Sequence, residues 1–326
     1  MGDPPSCSCR GPNSSVALAV SSDERIRVIC GPTAGGKSAT AMTLSQVADI
    51  SIVSADSRQL YRGFDVGTGN PTSREQLAVP HCGIDALDPT ERASAAWWSD
   101  QADRWVDEVA AEGRTPVVVG GTGLYLRALF GTLFTEPPMD PEDRAAVQAS
   151  LAEHTTEELR RRVTELDPER AHLGRTQLLR AIEVVLLTGR RVSDLHRENA
   201  TAPRRRARYL VVDPGPVLAQ VIESRVNMML ELGWKEEVEH LIRAVPADAP
   251  AWNASGYRTV REAVEGRLTS REMLDRVVIE TRQYAKRQRT WFRHQLAREN
   301  VTRLNPRDDD FPERLMDWWK EVETSA

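Results

Sequence analysis

The chain has 326 residues, 40% of them hydrophobic, and a formal net charge of −5 from 43 lysines and arginines against 48 aspartates and glutamates. This is enough apolar material for one large or two modest cores. It contains no run of about 18 apolar residues of the kind that crosses a membrane, and its acidic balance argues against indiscriminate nucleic-acid binding.

The first 24 residues mix Pro, Ser and Gly around a short apolar patch with a single base before it, and read as a disordered tail rather than a signal peptide. Cysteines fall at Cys7, Cys9, Cys30 and Cys82 without metal-ligand spacing. Their scatter points to a reducing compartment, most simply the cytoplasm. From Ile26 to about Phe134, short β-branched runs alternate with helical stretches. IRVICG, ISIVSAD (Ile50 to Asp56) and TPVVVGG (Thr115 to Gly121) are the strands, with helices beginning at Gly36, near Ser94 and after Gly123. Fully apolar strands separated by helices predict a parallel sheet covered on both faces, with ligands held at the strand ends.

After PPMDPEDR the spacing turns helical through AAVQASLAEHTTEELRRRVTEL and RTQLLRAIEVVLLTG. Residues 140–206 therefore read as a helical insertion between 25–139 and 207–326. The run Tyr209 to Val212 rejoins the sheet, and Val217 to about Arg298 is helical, interrupted at Ala244 to Gly256. Beyond Asn305, Trp318 and Trp319 are expected to pack back onto the core. The fold class is α/β, a P-loop NTPase-like parallel sheet flanked by helices, with a helical insertion domain.

Gly31, Pro32, Thr33, Ala34, Gly35, Gly36, Lys37 and Ser38 fit the phosphate-loop pattern G-x-x-x-x-G-K-S/T between a strand and a helix. Such a loop turns consecutive N–H groups toward one anion and adds the positive end of a helix. Lys37 would reach a terminal phosphate and Ser38 would hold Mg²⁺. Most loops of this kind serve nucleoside triphosphates, so the default is an ATP-using enzyme. That default expects an acid at the end of a neighbouring strand. VVVGG ends instead in Gly120-Gly121-Thr122-Gly123, while the other candidate strand ends in Asp56. Spacing leaves open whether Asp56 assists the metal or acts as a base.

Behind GPTAGGKS come SADSRQLYRGFDVGTGNPT, PHCGIDALDPTERASAAWW, VVVGGTGLYLRAL and TRQYAKRQRTWFR, in this order. From about Arg27 to Arg293 the chain resembles the tRNA dimethylallyltransferases, which place a five-carbon prenyl group on N6 of the adenine 3′ to the anticodon. The resemblance implies that the loop binds the diphosphate of dimethylallyl diphosphate, which departs as a leaving group with Mg²⁺ and Lys37 stabilising it. It gives Asp56 the role of base for the N6 proton, and Thr122 contact with the substrates at the reacting centre. Asp56, Ser57, Arg58 and Gln59 would grip the target base, Arg144 would line a tRNA channel, and Arg258 of the Gly-Tyr-Arg motif would neutralise diphosphate. The expected partners are the donor and a tRNA anticodon stem-loop, with the chain acting as a monomer away from any membrane.

Arg282, Lys286, Arg289 and Arg293 recur at four, three and four residues, with Arg287 and Arg298 nearby and no acid between Thr281 and Arg298. A one-sided basic stripe suits nucleic-acid phosphates, and unstacked loop bases suit a base turned out into a channel. Arg160 to Arg162 and Arg204 to Arg206 would add a second grip. The chain departs from the family pattern at Leu173-Gly174, where an Asn-Asp pair is usual, and at Gln177, which replaces an arginine, while Arg180 remains. Asn70 stands for a lysine and Ala93 for an aromatic residue. An adenylate prenyltransferase acting on free nucleotide, a small-molecule kinase and a non-catalytic RNA-binding protein are the rival readings.

Overall fold

A computed structural model of the chain describes residues 25–131, 137–198, 203–296 and 298–321; the tail expected over the first 24 residues, with Cys7 and Cys9, lies outside them. Two compact units emerge, one formed by Met1–Phe130 with Arg204–Ala326 and the other by Gly131–Pro203.

The larger unit opens with β1 (Arg25–Cys30), α1 (Lys37–Leu44), β2 (Ile50–Ser54), α2 (Ser73–Ala78), β3 (His81–Cys82), α3 (Ala95–Ala111), β4 (Thr115–Gly120) and α4 (Gly123–Phe130). The smaller unit holds α5 (Pro141–Leu151), α6 (Thr156–Leu166), α7 (Arg175–Thr188) and α8 (Val192–Glu198). The chain returns to the larger unit as β5 (Arg206–Val212), α9 (Leu218–Glu231), α10 (Trp234–Ala244), α11 (Tyr257–Val264), α12 (Ser270–Gln295), β6 (Val301–Leu304) and α13 (Phe311–Lys320).

Six parallel strands stand in the order β3-β2-β4-β1-β5-β6. Period-two alternation divides the buried side chains between two faces. Val28, Cys30, Val53, Val118 and Val211 join the core containing Trp98, Trp234, Tyr257 and Phe292. Ile29, Ile52, Val117, Val119 and Leu210 join the other, containing Leu44, Leu315 and Trp318. Trp318 is buried, and Trp319 lies under the Arg27 guanidinium at 4.5 Å. Strands β3 and β6 were not expected; β3 is two residues long, and the edge strand β6 carries an arginine in four residues, so neither leaves a readable alternation. Cys30 is a buried free thiol. No helix among the described residues is long and apolar enough to cross a membrane.

Within the smaller unit Leu151, Leu159, Val163, Leu178, Ala181 and Ile182 form their own core. Buried Glu183 receives Arg144, Arg180 and Gln148. Burial pushes its carboxyl pKa up, but the bonds from Arg180 and Arg144 bring it below the ordinary value.

Strand ends meet closely where β2 and β4 finish. Thr122 N–H donates to the Ala55 carbonyl at 3.1 Å, and a Cβ on Gly120 would stand 2.2 Å from that same oxygen. Backbone on both sides leaves no flexible group to give way. Gly120→Ala should therefore cost about 1–3 kcal/mol of unfolding free energy, measured by denaturant titration. A loss under about 0.5 kcal/mol would mean that the two strand ends are not held this tightly.

Candidate active site

The phosphate loop leaves β1 and enters α1 through Gly36, whose φ of 98° is left-handed, with Ala34 also left-handed at 60°. Gly35 N–H donates to the Pro32 carbonyl at 3.0 Å, and Lys37 Nζ donates to the same oxygen at 2.8 Å, folding the lysine over the loop. A Cβ on Gly31 would come within 2.2 Å of the Val212 carbonyl, so this close approach of the loop to β5 requires a residue without a side chain. Burial draws the Lys37 pKa down to about 8, with Arg225 adding to the depression while Asp56 and Cys30 oppose it.

Asp56 follows β2. Its Oδ1 accepts the Arg58 N–H at 3.0 Å, which fixes the carboxylate against its own turn and leaves Oδ2 free of that bond. Ser57 N–H donates to Thr122 Oγ1 at 3.0 Å, and Thr122 Oγ1 donates to Ser57 Oγ at 3.3 Å. Thr122 is also hydrogen-bonded to Tyr284, whose phenol burial pushes up to about 12, Asp56 adding to the shift. The segment bearing Asp56 is thus tied directly to the Gly-Gly-Thr turn after β4.

Lys37, Ser38 and Asp56 face one cavity of about 640 Å³, together with Arg225 and Met229. A smaller pocket of about 50 Å³ adjoins it, sharing Asp56, Arg225 and Met229 and adding Arg58, Ile222, Val226, Trp234 and Tyr284. The site therefore combines a phosphate cradle, a carboxylate, a hydroxyl and an apolar recess. No group of three or more His, Cys, Asp or Glu among the described residues could hold a metal ion by itself. The exposed Ser38 hydroxyl at the cavity wall suits an ion whose remaining ligands are diphosphate oxygens and water.

Gln59 lines the main cavity, its amide accepting from Ser54 Oγ at 2.9 Å and donating to the Gly69 carbonyl at 3.1 Å. Other expected contacts are placed elsewhere. Arg258 is exposed, donates to Asn253 Oδ1 at 2.6 Å and faces neither cavity. Its neighbour Tyr257 is the buried member of that motif, donating to Glu237 at 2.6 Å and accepting from Gly67 N–H at 3.0 Å. A further cation in the cavity beside Lys37 is Arg225, which the sequence does not mark by any motif. On α9 it stands among Ile222, Val226 and Met229, all on the buried face, and a charge at that spacing was the available signal. Burial lowers its pKa, and Asp56 opposes the shift.

The basic stripe on α12 is also partly neutralised, by acids on neighbouring elements. Arg282 reaches Glu223 at 2.9 Å, and Arg289 makes a bidentate pair with Asp213 at 2.8 and 2.5 Å. Lys286, Arg287 and Arg293 remain exposed, with Arg287 over the Tyr284 ring at 5.8 Å. Arg204 and Arg205 pair with Asp100 and with Asp103 and Asp107 on α3, so neither is a spare basic group. In the smaller unit, Arg144 and Arg180 converge on Glu183, and Gln177 is exposed.

A parallel sheet with a phosphate loop after its central strand, facing a carboxylate on a second strand, defines a P-loop enzyme acting on a phosphorylated substrate. The IPP transferase family matches residues 59–295, and the isopentenyl transferase family matches 24–81. A tRNA dimethylallyltransferase of Myxococcus xanthus is 43% identical over 82% of this chain and 89% of its own. Among solved structures, the full-length tRNA isopentenylpyrophosphate transferase of Bacillus halodurans superposes with a TM-score of 0.65 at 31% identity, covering 90% of this chain and 94% of that one. A eukaryotic dimethylallyltransferase acting on tRNA shares the fold, with a TM-score of 0.73 at 22% identity over 90% of this chain and 78% of that one. The chain belongs to the IPP transferase family, and it is a prenyl-transferring enzyme.

The depressed Lys37 pKa has a measurable consequence. If Lys37 holds a diphosphate, it does so as the ammonium form, so the affinity should be insensitive to Lys37 below about pH 8 and fall up to about tenfold per pH unit above it. Titrating dimethylallyl diphosphate binding by calorimetry between about pH 7 and pH 10, with Lys37→Arg as the flattened control, checks this. An affinity constant across that range would remove Lys37 from the diphosphate site.

Proposed function

We propose that the protein transfers the dimethylallyl group of dimethylallyl diphosphate to N6 of the adenine 3′ to the anticodon in tRNA, releasing diphosphate. One observation carries this reading: Lys37 and Ser38 on the phosphate loop share a cavity with Asp56 on another strand end, so a departing diphosphate and a proton acceptor address the same space. The names of the relatives supply the tRNA and the prenyl group.

The N6 lone pair is delocalised into the adenine ring and attacks weakly unless its proton has somewhere to go. As N6 bonds to the allylic carbon, the carbon–oxygen bond to diphosphate breaks, and Asp56 takes the N6 proton. Lys37, Arg225 and the loop N–H groups hold the charge that develops on the leaving group. Ser38 would hold Mg²⁺ together with diphosphate oxygens, the ion supplying further stabilisation of that charge. Thr122 lines neither cavity and has its hydroxyl bonded to Ser57 and Tyr284, so it would reach the substrates only by exchanging one of these bonds. The apolar recess formed by Ile222, Val226, Met229 and Trp234 would receive the five-carbon tail. Ser57 and Arg58 would contact the target nucleotide, and Arg144, Gln177 and Arg180 would contact tRNA from the smaller unit. Lys286, Arg287 and Arg293 would meet phosphates. The enzyme would work as a monomer in the cytoplasm, where its tRNA substrate resides.

Incubating the protein with unmodified tRNA, labelled dimethylallyl diphosphate and Mg²⁺, and in parallel with AMP or ATP, should place label on tRNA alone. Label on AMP but not on tRNA would overturn the reading, as would ATP consumption without prenyl transfer. Within this assay Asp56→Asn should lower kcat by at least about 100-fold with donor KM changed less than about threefold. A rate within a few-fold of wild type would remove Asp56 as the base.

The cations divide in the same assay. Arg225→Gln should raise donor KM by about ten- to a hundredfold, while Arg258→Gln should leave it unchanged. The reverse order would restore Arg258 to the diphosphate site. Alanine at Lys286, Arg287 or Arg293 should weaken tRNA binding uniformly across sequences and reduce its salt slope by about one each. An unchanged slope in the triple variant would place the tRNA on another surface.

A further inference from the structure

Gln288 lies on α12 with 5% of its surface exposed, and its amide bridges the two loops that leave the paired strands β1 and β4, beyond their last ladder pair Cys30–Gly120. Oε1 accepts the Thr33 N–H of the phosphate loop at 2.7 Å, and Nε2 donates to the Gly121 carbonyl at 2.9 Å. Both partners are backbone groups of fixed polarity, so the amide fits only one way round. A carboxylate would face the Gly121 oxygen with a second oxygen, and an ammonium would offer Thr33 no acceptor.

The two loops are those that the reaction joins. Thr33 faces both the main cavity and the apolar recess. Gly121 directly precedes Thr122, which in turn holds the segment bearing Asp56 through Ser57. The contact is tight, since a Cβ on Gly121 would meet Gln288 Nε2 at 2.3 Å and the Gly31 carbonyl at 3.2 Å. The next residue, Arg289, clamps Asp213 at the end of β5 and the Gly215 carbonyl, so the helix cannot slide along the strand ends without breaking a bidentate ion pair.

We propose that Gln288 is a positioning residue for prenyl transfer: its amide fixes the separation between the phosphate loop and the Gly-Gly-Thr turn, and so the distance from the allylic carbon to the attacking N6. The proposal rests on the function read above. It assigns Gln288 no contact with either substrate. Donor binding depends on Lys37, Arg225 and the remaining loop N–H groups, and these persist without Gln288. What changes is the alignment of two bound reactants, where a misplacement of about 1 Å can cost about 100-fold in rate.

The test compares Gln288→Met, nearly isosteric and without either hydrogen bond, with Gln288→Glu, which keeps the acceptor and loses the donor. Gln288→Met should lower kcat about ten- to a hundredfold, with KM for dimethylallyl diphosphate and Kd for tRNA within about threefold of wild type. Gln288→Glu regains a donor when its carboxyl is protonated, so its kcat relative to wild type should rise as pH falls, a trend that a purely structural defect would not produce. Amide exchange at Thr33 should accelerate in Gln288→Met while exchange in β1 and β4 stays slow, showing that the variant is folded. Should Gln288→Met fail to fold, the pH trend of Gln288→Glu decides alone. A Gln288→Met kcat within about threefold of wild type, losses confined to donor KM, or a pH-independent Gln288→Glu ratio would overturn the proposal. Wild-type turnover in the same assay separates the two claims. An inactive wild type would sink the functional reading and this proposal with it, whereas an active wild type with unaffected variants would sink this proposal alone.

Discussion

Everything at the site depends on the parallel pairing of β2, β4 and β1. Parallel strands end on the same edge, and the order β2-β4-β1 sets the Gly-Gly-Thr turn between Asp56 and the phosphate loop. The backbone itself makes the fit: the Ala55 carbonyl accepts from Thr122 N–H, and Gly120 leaves the space that a methyl would fill. A carboxylate and an anion cradle could not be held this close by side chains alone without leaving one of them mobile. The ladder provides the rigidity, and the glycines permit the approach.

The same packing explains the charges. Lys37 and Arg225 are placed where burial disfavours their ionised forms, and Asp56 acts against that cost for both. One carboxylate thus opposes the burial cost of two cations.

Much of this was legible in the sequence. The apolar runs of β1, β2 and β4, the phosphate loop and the acid after β2 were readable, because a buried parallel strand leaves an uninterrupted β-branched run. Strand β3, with two residues, and β6, with an arginine at a sheet edge, left no such trace. The absence of Arg225 from the sequence reading and the prominence there of Arg258, which faces neither cavity, have a common cause. Motif matching favours a conspicuous Gly-Tyr-Arg string, whereas Arg225, which lines both pockets, is an arginine outside any motif on the apolar side of α9.

The basic stripe shows how far one-dimensional charge counting reaches. Between Thr281 and Arg298 no acid occurs, yet Arg282 and Arg289 are paired with Glu223 and Asp213, acids about sixty and seventy-five residues away in sequence. Those pairs hold α12 against α9 and the end of β5, which is what a helix must have if its inner face is to carry Gln288 to the phosphate loop. Arg289 and Gln288 are adjacent, so the ion pair that removes one cation from the stripe also fixes the amide beside it. The helix thus divides its polar residues by direction. Lys286, Arg287 and Arg293 face solvent, where an acidic protein needs local positive charge to meet a polyanion, while Arg282, Gln288 and Arg289 bind the helix to the elements that carry the chemistry.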